Sequence, residues 1–548
     1  QAALEARRAE IAAITKESQD RTGLRSDIVT LYQGAQYWLY RYKKYTDVRL
    51  VFAPEQQIAF FGGDPDNFTY PRHDLDFAIF RVYENDQPIH SDNYLKWNAK
   101  GAADQEPVFV TGHPGSTDRT DTVAELETER DVVYPISLKV VGRRIAVLKK
   151  YASLGAEQAR QATEVTFSLE NALKAYTGEY SGLMDPKVLQ KKRADEKALR
   201  DQIAQKPEWE KEYGGAWTTV QRAQEMRRRL YKTERFGQLR GSSLASLGLV
   251  FVQYAEEIGK PDPERLDGFH DAQLPTLKFQ LSSPAPFYRP LEQVLLADSL
   301  QESLEELGPN DPFVKAALGG QTPDADAAAL IGNTKLDAQS FRKALLDGGP
   351  AAIKASNDPL IVLGRAIDPI VRATKKTVDR DVTSVTSAAR EKIGRARFTV
   401  YGTAVYPDAT FTLRLSYGRV SGYPMNGTKA PYKTTFYGLY DRSAGFDNKP
   451  PFQLTSRFAE KRSQVEMSTP LDFVTTNDII GGNSGSPVVN RAGELVGLIF
   501  DGNIESLVGR FVYEEEKNRA VAVHAGAIVH ALRTVYDAAP LADELDPH

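Results

Sequence analysis

The pattern of apolar and polar positions divides the chain into three stretches. From about residue 30 to 120 it is strand-like. Val48, Leu50 and Phe52 alternate with Arg49 and Val51, the period of two of a pleated strand. Phe60 and Phe61 run into the turn-rich Gly62-Gly63-Asp64-Pro65-Asp66-Asn67, Phe77-Ala78-Ile79-Phe80 is a short apolar run, and Val108-Phe109-Val110 leads into Gly112-His113-Pro114-Gly115. Short strands punctuated by Gly and Pro predict a β-barrel or sandwich. Between 121 and 395 the period changes. Leu138, Val141, Ile145 and Leu148 recur at helical spacing, and proline clusters near 261–290 and 309–323 mark breaks between helical groups. From 397 to 505 the period of two returns, cleanest where Phe411, Leu413, Leu415 and Tyr417 alternate with Thr410, Thr412, Arg414 and Ser416. Val488-Val489 and the run Leu495 to Phe500 flank Asn490-Arg491-Ala492-Gly493 as a hairpin. Helical patterns stand at both ends, over Gln1 to Thr15 and from about Gly526 to an acidic tail.

Composition narrows the function classes. The chain has 548 residues, enough for several domains or one domain with a large insertion. Lys plus Arg is 69 and Asp plus Glu is 73, a net charge of -4, so a polyanion-binding surface is not expected. Arg227-Arg228-Arg229 is expected to be a solvated helix face. No apolar run approaches the roughly 18 residues of a membrane helix. Cysteine is absent, which removes disulfides, thiol nucleophiles and thiolate metal sites. No metal-ligand spacing and no phosphate-binding glycine loop occurs, so neither metal nor cofactor is expected. Asn67-Phe68-Thr69 and Asn426-Gly427-Thr428 fit the glycosylation sequon.

One stretch carries chemistry: Asn477-Asp478-Ile479-Ile480-Gly481-Gly482-Asn483-Ser484-Gly485-Ser486-Pro487-Val488. Gly482 to Pro487 resembles the G-D-S-G-G-P motif of chymotrypsin-type serine peptidases. Such enzymes need a serine whose neighbouring backbone N–H groups converge on the developing oxyanion, and glycines let the chain turn tightly enough to aim them. Ser484 is the candidate nucleophile, and the N–H groups of Gly482 and Ser484 are the candidate oxyanion donors. The motif lacks the second glycine of an α/β-hydrolase elbow. For the orienting aspartate, Asp76 directly abuts the apolar run Phe77 to Phe80, with Asp74 as its rival.

Spacing tests this assignment. The chymotrypsin template separates aspartate and serine by roughly 93 residues. Asp76 and Ser484 are 408 positions apart, and a helical domain inserted between two β-barrels accounts for most of the excess. The template also places the histidine roughly 45 residues before the aspartate, yet no histidine occurs before His73. His73 is too close to Asp76, His90 and His113 follow it, and His524 and His530 follow the serine. The general base is therefore expected upstream of Gln1, where the chain opens inside a helical pattern without a signal peptide.

The sequence resembles, over nearly its whole length, the bacterial dipeptidyl-peptidase family that includes dipeptidyl aminopeptidase BII and dipeptidyl-peptidases 7 and 11. The marks are Gln36-Tyr37-Trp38-Leu39-Tyr40-Arg41-Tyr42, Asp47 to Glu55, Phe61 to His73 and Gly481 to Val488. The resemblance implies a β plus α fold, a chymotrypsin-like double β-barrel with a large α-helical domain inserted between the barrels. Expected boundaries are 1–120 for part of the first barrel without its N-terminal strands and histidine, 121–395 for the helical insertion, and 396–548 for the second barrel with the nucleophile and C-terminal helix. It also implies a secreted or periplasmic serine exopeptidase that takes dipeptides from free peptide N-termini. By motif, Asp501 matches the carboxylate that holds the substrate ammonium, Asn67 an amide partner, and Asn171 a second amide from the helical domain. Phe68 stands where tryptophan is expected, keeping an aromatic wall without the indole N–H. Acid-selective members carry arginine at the position of Gly502; glycine there implies a preference for hydrophobic or neutral residues before the cut.

Two other readings stay beside the exopeptidase. One is a catalytically silent peptide-binding relative that keeps Asp501 and Asn67 but lacks a base. The other is an endopeptidase, against which the helical insertion and the amine anchor argue. Peptides with a free N-terminus are the expected partners, with no nucleic acid and no membrane span; a homodimer is left open.

Overall fold

The computed structural model describes residues 2–402 and 404–547. The chain folds into two compact units: Gln1–Lys43, Thr122–Tyr176 and Lys192–Val405 form one, and Lys44–Asp121, Thr177–Lys191 and Tyr406–His548 the other. Each mixes regular elements according to the periods above.

The first unit is predominantly helical. Its long helices include Tyr134–Ala152, Ala216–Phe236, Ser243–Glu257, Arg289–Leu307, Pro359–Val378 and Ser384–Tyr401. On Tyr134–Ala152 the expected stripe is real: Val141, Ile145 and Leu148 are buried. The main core joins Leu244, Phe251, Leu296, Phe313, Leu360 and Ile367. Arg227 and Arg228 are half-buried and pair with Glu129 at 3.4 Å and Asp131 at 3.1 Å, so this face is only partly solvated.

The N-terminal boundary differs from the expectation. The helix Ala2–Thr22 and the hairpin of β1 (Arg25–Leu31) and β2 (Gln36–Tyr42) belong with the helices rather than with the strands that follow. Among the described residues, the hairpin pairs only with itself. Tyr32 packs edge-on against Phe398 at 4.6 Å, Arg7 pairs with Glu391 at 2.9 Å, and Arg8 with Asp379 at 3.2 Å. The helical segment also runs to Tyr401, past residue 395. A period of two reports a strand but not the neighbour that covers it.

The second unit carries the strands. A small antiparallel sheet joins β3 (Asp47–Phe52), β4 (Ile79–Glu84) and β5 (Gln87–Pro88). The largest sheet contains β6 (Lys96–Trp97), β7 (Pro107–Gly112), β8 (Arg414–Arg419), β11 (Lys433–Thr435), β12 (Pro470–Thr475), β13 (Pro487–Asn490), β14 (Glu494–Gly502) and β15 (Ala520–His524). Its path is β11-β12-β15-β14-β13-β7-β8, with β6 parallel to β14. An isolated bridge between Val420 and Thr475 joins the end of β8 to β12. The short hairpin β9 (Pro424–Met425) and β10 (Thr428–Lys429) lies between.

The expected hairpin is β13–β14, with Val488 opposite Gly497. Val108, Val110, Val488, Val496 and Ile499 fill one core. A second core packs Ile58, Phe61, Leu75 and Phe77 with Phe436, Leu471, Ile528 and Leu532, the last two from the helix Ala525–Thr534. Gly62 to Asn67 is not a plain turn, because Gly63–Asp66 forms one helical turn. Among the described residues, no helix is long and apolar enough to cross a membrane.

Candidate active site

Ser484 sits in the loop that delivers the chain into β13. Gly485 N–H donates to Ile499 O at 2.7 Å, Ile499 N–H to Ser486 O at 2.9 Å, and Ser486 N–H to Asn483 O at 2.8 Å. These bonds tie the loop to β14 on the side of Asp501. Ser484 is exposed, and its Oγ lies 3.5 Å from Phe500 O. Gly482 has φ +108°, in the left-handed region that favours glycine. Among the described residues, the N–H groups of Gly482 and Ser484 donate to no protein acceptor. Two spare donors flanking an exposed hydroxyl are what an oxyanion site requires.

The turn Gly112 to Gly115 lies directly against this loop. A Cβ on Gly482 would come within 2.6 Å of His113 O, and one on Gly115 within 2.4 Å of Gly481 O. Gly115 N–H donates to Gly481 O at 2.8 Å. The sequence marked Gly-His-Pro-Gly only as a turn; its glycines let two backbones touch.

The aspartates separate by environment. Asp74 is fully buried; its Oδ2 accepts from Arg72 Nε at 2.9 Å, and its N–H donates to Asp472 Oδ2 at 2.9 Å. Burial pushes Asp74 up to about 7 against the pull of Arg72, and pushes Asp472 up as well, with Asp74 adding repulsion. Asp76 has one side open to solvent. Its carboxyl is still enclosed enough for desolvation to push it up to about 6, with Arg72 opposing and Asp501 adding. Asp74 is thus consumed by a buried ion pair, while Asp76 has no such pair among the described residues.

Asp501 is the last residue but one of β14, beside a register shift in its pairing with β15. Its Oδ2 accepts from Phe68 N–H at 2.9 Å and from Arg72 Nη1 at 2.6 Å; its Oδ1 accepts from Gly502 N–H at 2.8 Å. Phe68 reaches it in a left-handed conformation, φ +56°, uncommon outside glycine. Burial raises the Asp501 carboxyl, and Arg72 and the two N–H groups pull it back. Arg72 is buried and also donates to Asp66 O at 2.8 Å, while Asp66 pairs with Arg442 at 2.6 Å. The run Asp66 to Asp74 therefore wraps the Asp501 carboxylate. Arg72, which joins Asp74, Asp66 O and Asp501, is the residue here that sequence reading left without a role, although it lay inside the run quoted for the resemblance.

The remaining candidates fall as follows. Asn67 is buried beside Phe68, which leaves no room for a glycan on its sequon. Gly502 pairs with Ala520 across the sheet. Asn171 lies exposed on the helix Ala156–Met184, in the helical unit. Among the described histidines none hydrogen-bonds Ser484. Burial drives His73 and His524 down to about 4, so both are neutral; His524 Nδ1 caps the helix Ala525–Thr534 by accepting from Gly526 N–H at 3.0 Å. Among the described residues no cluster of His, Asp and Glu could hold a metal ion.

The family model of peptidase S46 matches residues 1–547. The chain belongs to the peptidase S46 family. It is a serine dipeptidyl-peptidase. It is 27% identical to the Asp/Glu-specific dipeptidyl-peptidase of Shewanella putrefaciens, over 97% of this chain and 79% of that protein. It is 26% identical to dipeptidyl-peptidase 7 of Capnocytophaga gingivalis, over 98% of this chain and 78% of that one. Among solved structures it resembles DPP11 of Porphyromonas endodontalis in complex with the dipeptide Arg-Glu. The TM-score is 0.79 at 22% identity, covering 98% of this chain and 80% of that one, a likeness of fold. Relatives of both names occur, so the comparisons do not choose the residue before the cut.

Proposed function

We propose that this enzyme releases dipeptides from free peptide N-termini and prefers a hydrophobic or neutral residue before the cut. The observation that carries the reading is Asp501, a buried carboxylate on the strand that also anchors the nucleophile loop. A charge in such a place suits a buried ammonium, and a charged hydrogen bond contributes about 1.5–3 kcal/mol. Asn67 and Phe68 flank it.

In this reading Ser484 Oγ attacks the second carbonyl carbon of the substrate. The carbonyl electron pair moves to oxygen, which accepts from the N–H groups of Gly482 and Ser484. The Oγ proton passes to an imidazole base oriented by Asp76, and then to the amine that leaves as the C–N bond breaks. Water reverses the sequence on the acyl-enzyme. The double-barrel arrangement belongs to the same reading; the Val420–Thr475 bridge, which joins the end of β8 to β12, supports closure of the main sheet into one of the two barrels. We place the enzyme in the periplasm or outside the cell, as the family resemblance implies.

Gly502 carries the specificity: it brings no cation to pair a substrate carboxylate. The test uses the full-length enzyme on matched peptides with Leu, Met, Asp or Glu second, each free or N-acetylated. Free peptides with Leu or Met should be cut fastest. Faster cleavage after Asp or Glu would overturn the specificity, and equal cleavage of acetylated peptides would make the enzyme an endopeptidase. Binding without turnover would support the silent relative.

A further inference from the structure

The loop before Ser484 has little backbone support. From Asp478 to Gly482, among the described residues, one backbone bond reaches another segment, that from Gly115 N–H to Gly481 O at 2.8 Å. Within the loop, Ile480 O accepts from Asn483 N–H and from Asn483 Nδ2, each at 3.1 Å, and closes a turn around Gly481 and Gly482. A further tether to another segment is a side-chain pair. Arg119 Nη1 and Nη2 grip both oxygens of Asp478, the second at 2.8 Å. Arg119 Nε donates to Gly509 O at 2.7 Å, and Tyr406 OH bridges Arg119 Nη1 at 3.1 Å and Asp478 Oδ2 at 3.3 Å. Arg119 is itself held, because Asp408 accepts from its N–H at 2.8 Å, from Thr117 Oγ1 at 2.6 Å and from Thr120 N–H at 3.0 Å.

The direction of the Gly482 N–H follows from these tethers. In a planar trans peptide the C=O and the N–H point opposite ways. With Gly481 O fixed on Gly115, the Gly482 N–H must point away from Gly115. If the Gly481–Gly482 peptide turned over, one of the two oxyanion donors would be replaced by a carbonyl oxygen. Gly481 and Gly482 flank this peptide, and Gly482 stands at positive φ, so no side chain on either residue opposes the turn.

We propose that Arg119 is a positioning residue for the oxyanion site. Its fork on Asp478 and the Gly115 bond together hold the Gly481–Gly482 peptide in the donating orientation. The proposal rests on the reading of Ser484 as nucleophile and of the Gly482 N–H as oxyanion donor. A bidentate guanidinium–carboxylate pair fixes orientation as well as distance, which a lysine cannot reproduce in full.

The test measures kcat and KM of the full-length enzyme on an unblocked dipeptidyl amide, with two inhibitors. One is a peptide aldehyde, which forms a tetrahedral oxyanion adduct; the other is the dipeptide product, which binds without one. Arg119→Ala and Asp478→Asn should each lower kcat about 10- to 100-fold, with KM within about threefold. The double variant should lose little more than either single one, and Arg119→Lys should recover part of the rate. Aldehyde affinity should fall in step with kcat, while product affinity stays. Gly115→Ala, whose Cβ would meet Gly481 O at 2.4 Å, should reproduce this pattern should Arg119→Ala fail to fold. Unchanged kcat in folded Arg119→Ala or Gly115→Ala, or equal loss of aldehyde and product affinity, would overturn the proposal. Full activity in Ser484→Ala would instead remove the reading beneath it.

Discussion

Arg72 Nη1 lies 2.6 Å from Asp501 Oδ2, with both side chains buried, and the same guanidinium holds Asp74 at 2.9 Å. One cation thus opposes the burial that raises the carboxyl of the proposed amine anchor and fixes its direction, while the guanidinium itself lies over the rings of Phe60 and Phe500. Arg72→Lys keeps a charge but loses the fork. It is expected to raise KM for unblocked peptides about 10- to 100-fold, the equivalent of one charged hydrogen bond. An unchanged KM would show that Asp501 holds its position without it.

Asp76 should set an acid limb in the pH–rate profile. Its carboxyl stands at about 6, so kcat/KM is expected to fall below about pH 6 as it takes up a proton and no longer orients an imidazolium. Arg72 pulls this value down, so Arg72→Gln should move the limb to higher pH. A profile that stays put in that variant would detach the limb from Asp76.

Asp74 should make stability fall with rising pH. Its folded carboxyl, pushed up to about 7 by burial, binds a proton more tightly than the unfolded chain, where an aspartate titrates near ~3.9. Its contribution is fully present below the unfolded value and is lost as pH rises through about 7. Asp74→Asn is expected to flatten the dependence of Tm on pH between about 4 and 7. Calorimetry across that window checks it; an unaltered slope would place the titration elsewhere, with Asp472 the next group to remove.

Gly502→Arg is expected to shift preference toward Asp or Glu before the cut, raising their kcat/KM relative to Leu by about tenfold or more. A Cβ there would meet Ser506 Oγ at 2.4 Å, and Ser506 donates to Asn503 O at 2.7 Å. The variant is therefore best made together with Ser506→Ala. Unaltered ratios of kcat/KM would show that Gly502 does not face the substrate side chain.

Much of this protein is written in local pattern. The apolar runs Val488-Val489 and Leu495 to Phe500 about Asn490 to Gly493 give β13, β14 and their turn, because a hairpin depends on neighbours in sequence. The stripe Val141, Ile145 and Leu148 gives its helix for the same reason. The candidate nucleophile, its glycine frame and Asp501 could be named from motif alone, since each lies in a short run of fixed chemistry.

Tertiary structure decided what depends on partners distant in sequence. The hairpin β1–β2 reads as strands, but the contact of Tyr32, in its turn, with Phe398 far along the chain shows that it belongs with helices. Asp74 and Asp76 are near-equivalents in sequence. Burial against Arg72 and Asp472 sets them apart, because desolvation depends on what encloses a carboxylate. Arg119 and Gly115 stand far upstream of the loop they hold. No period or motif could pair them with it, because a backbone bond and an ion pair between remote segments exist only once the chain has folded.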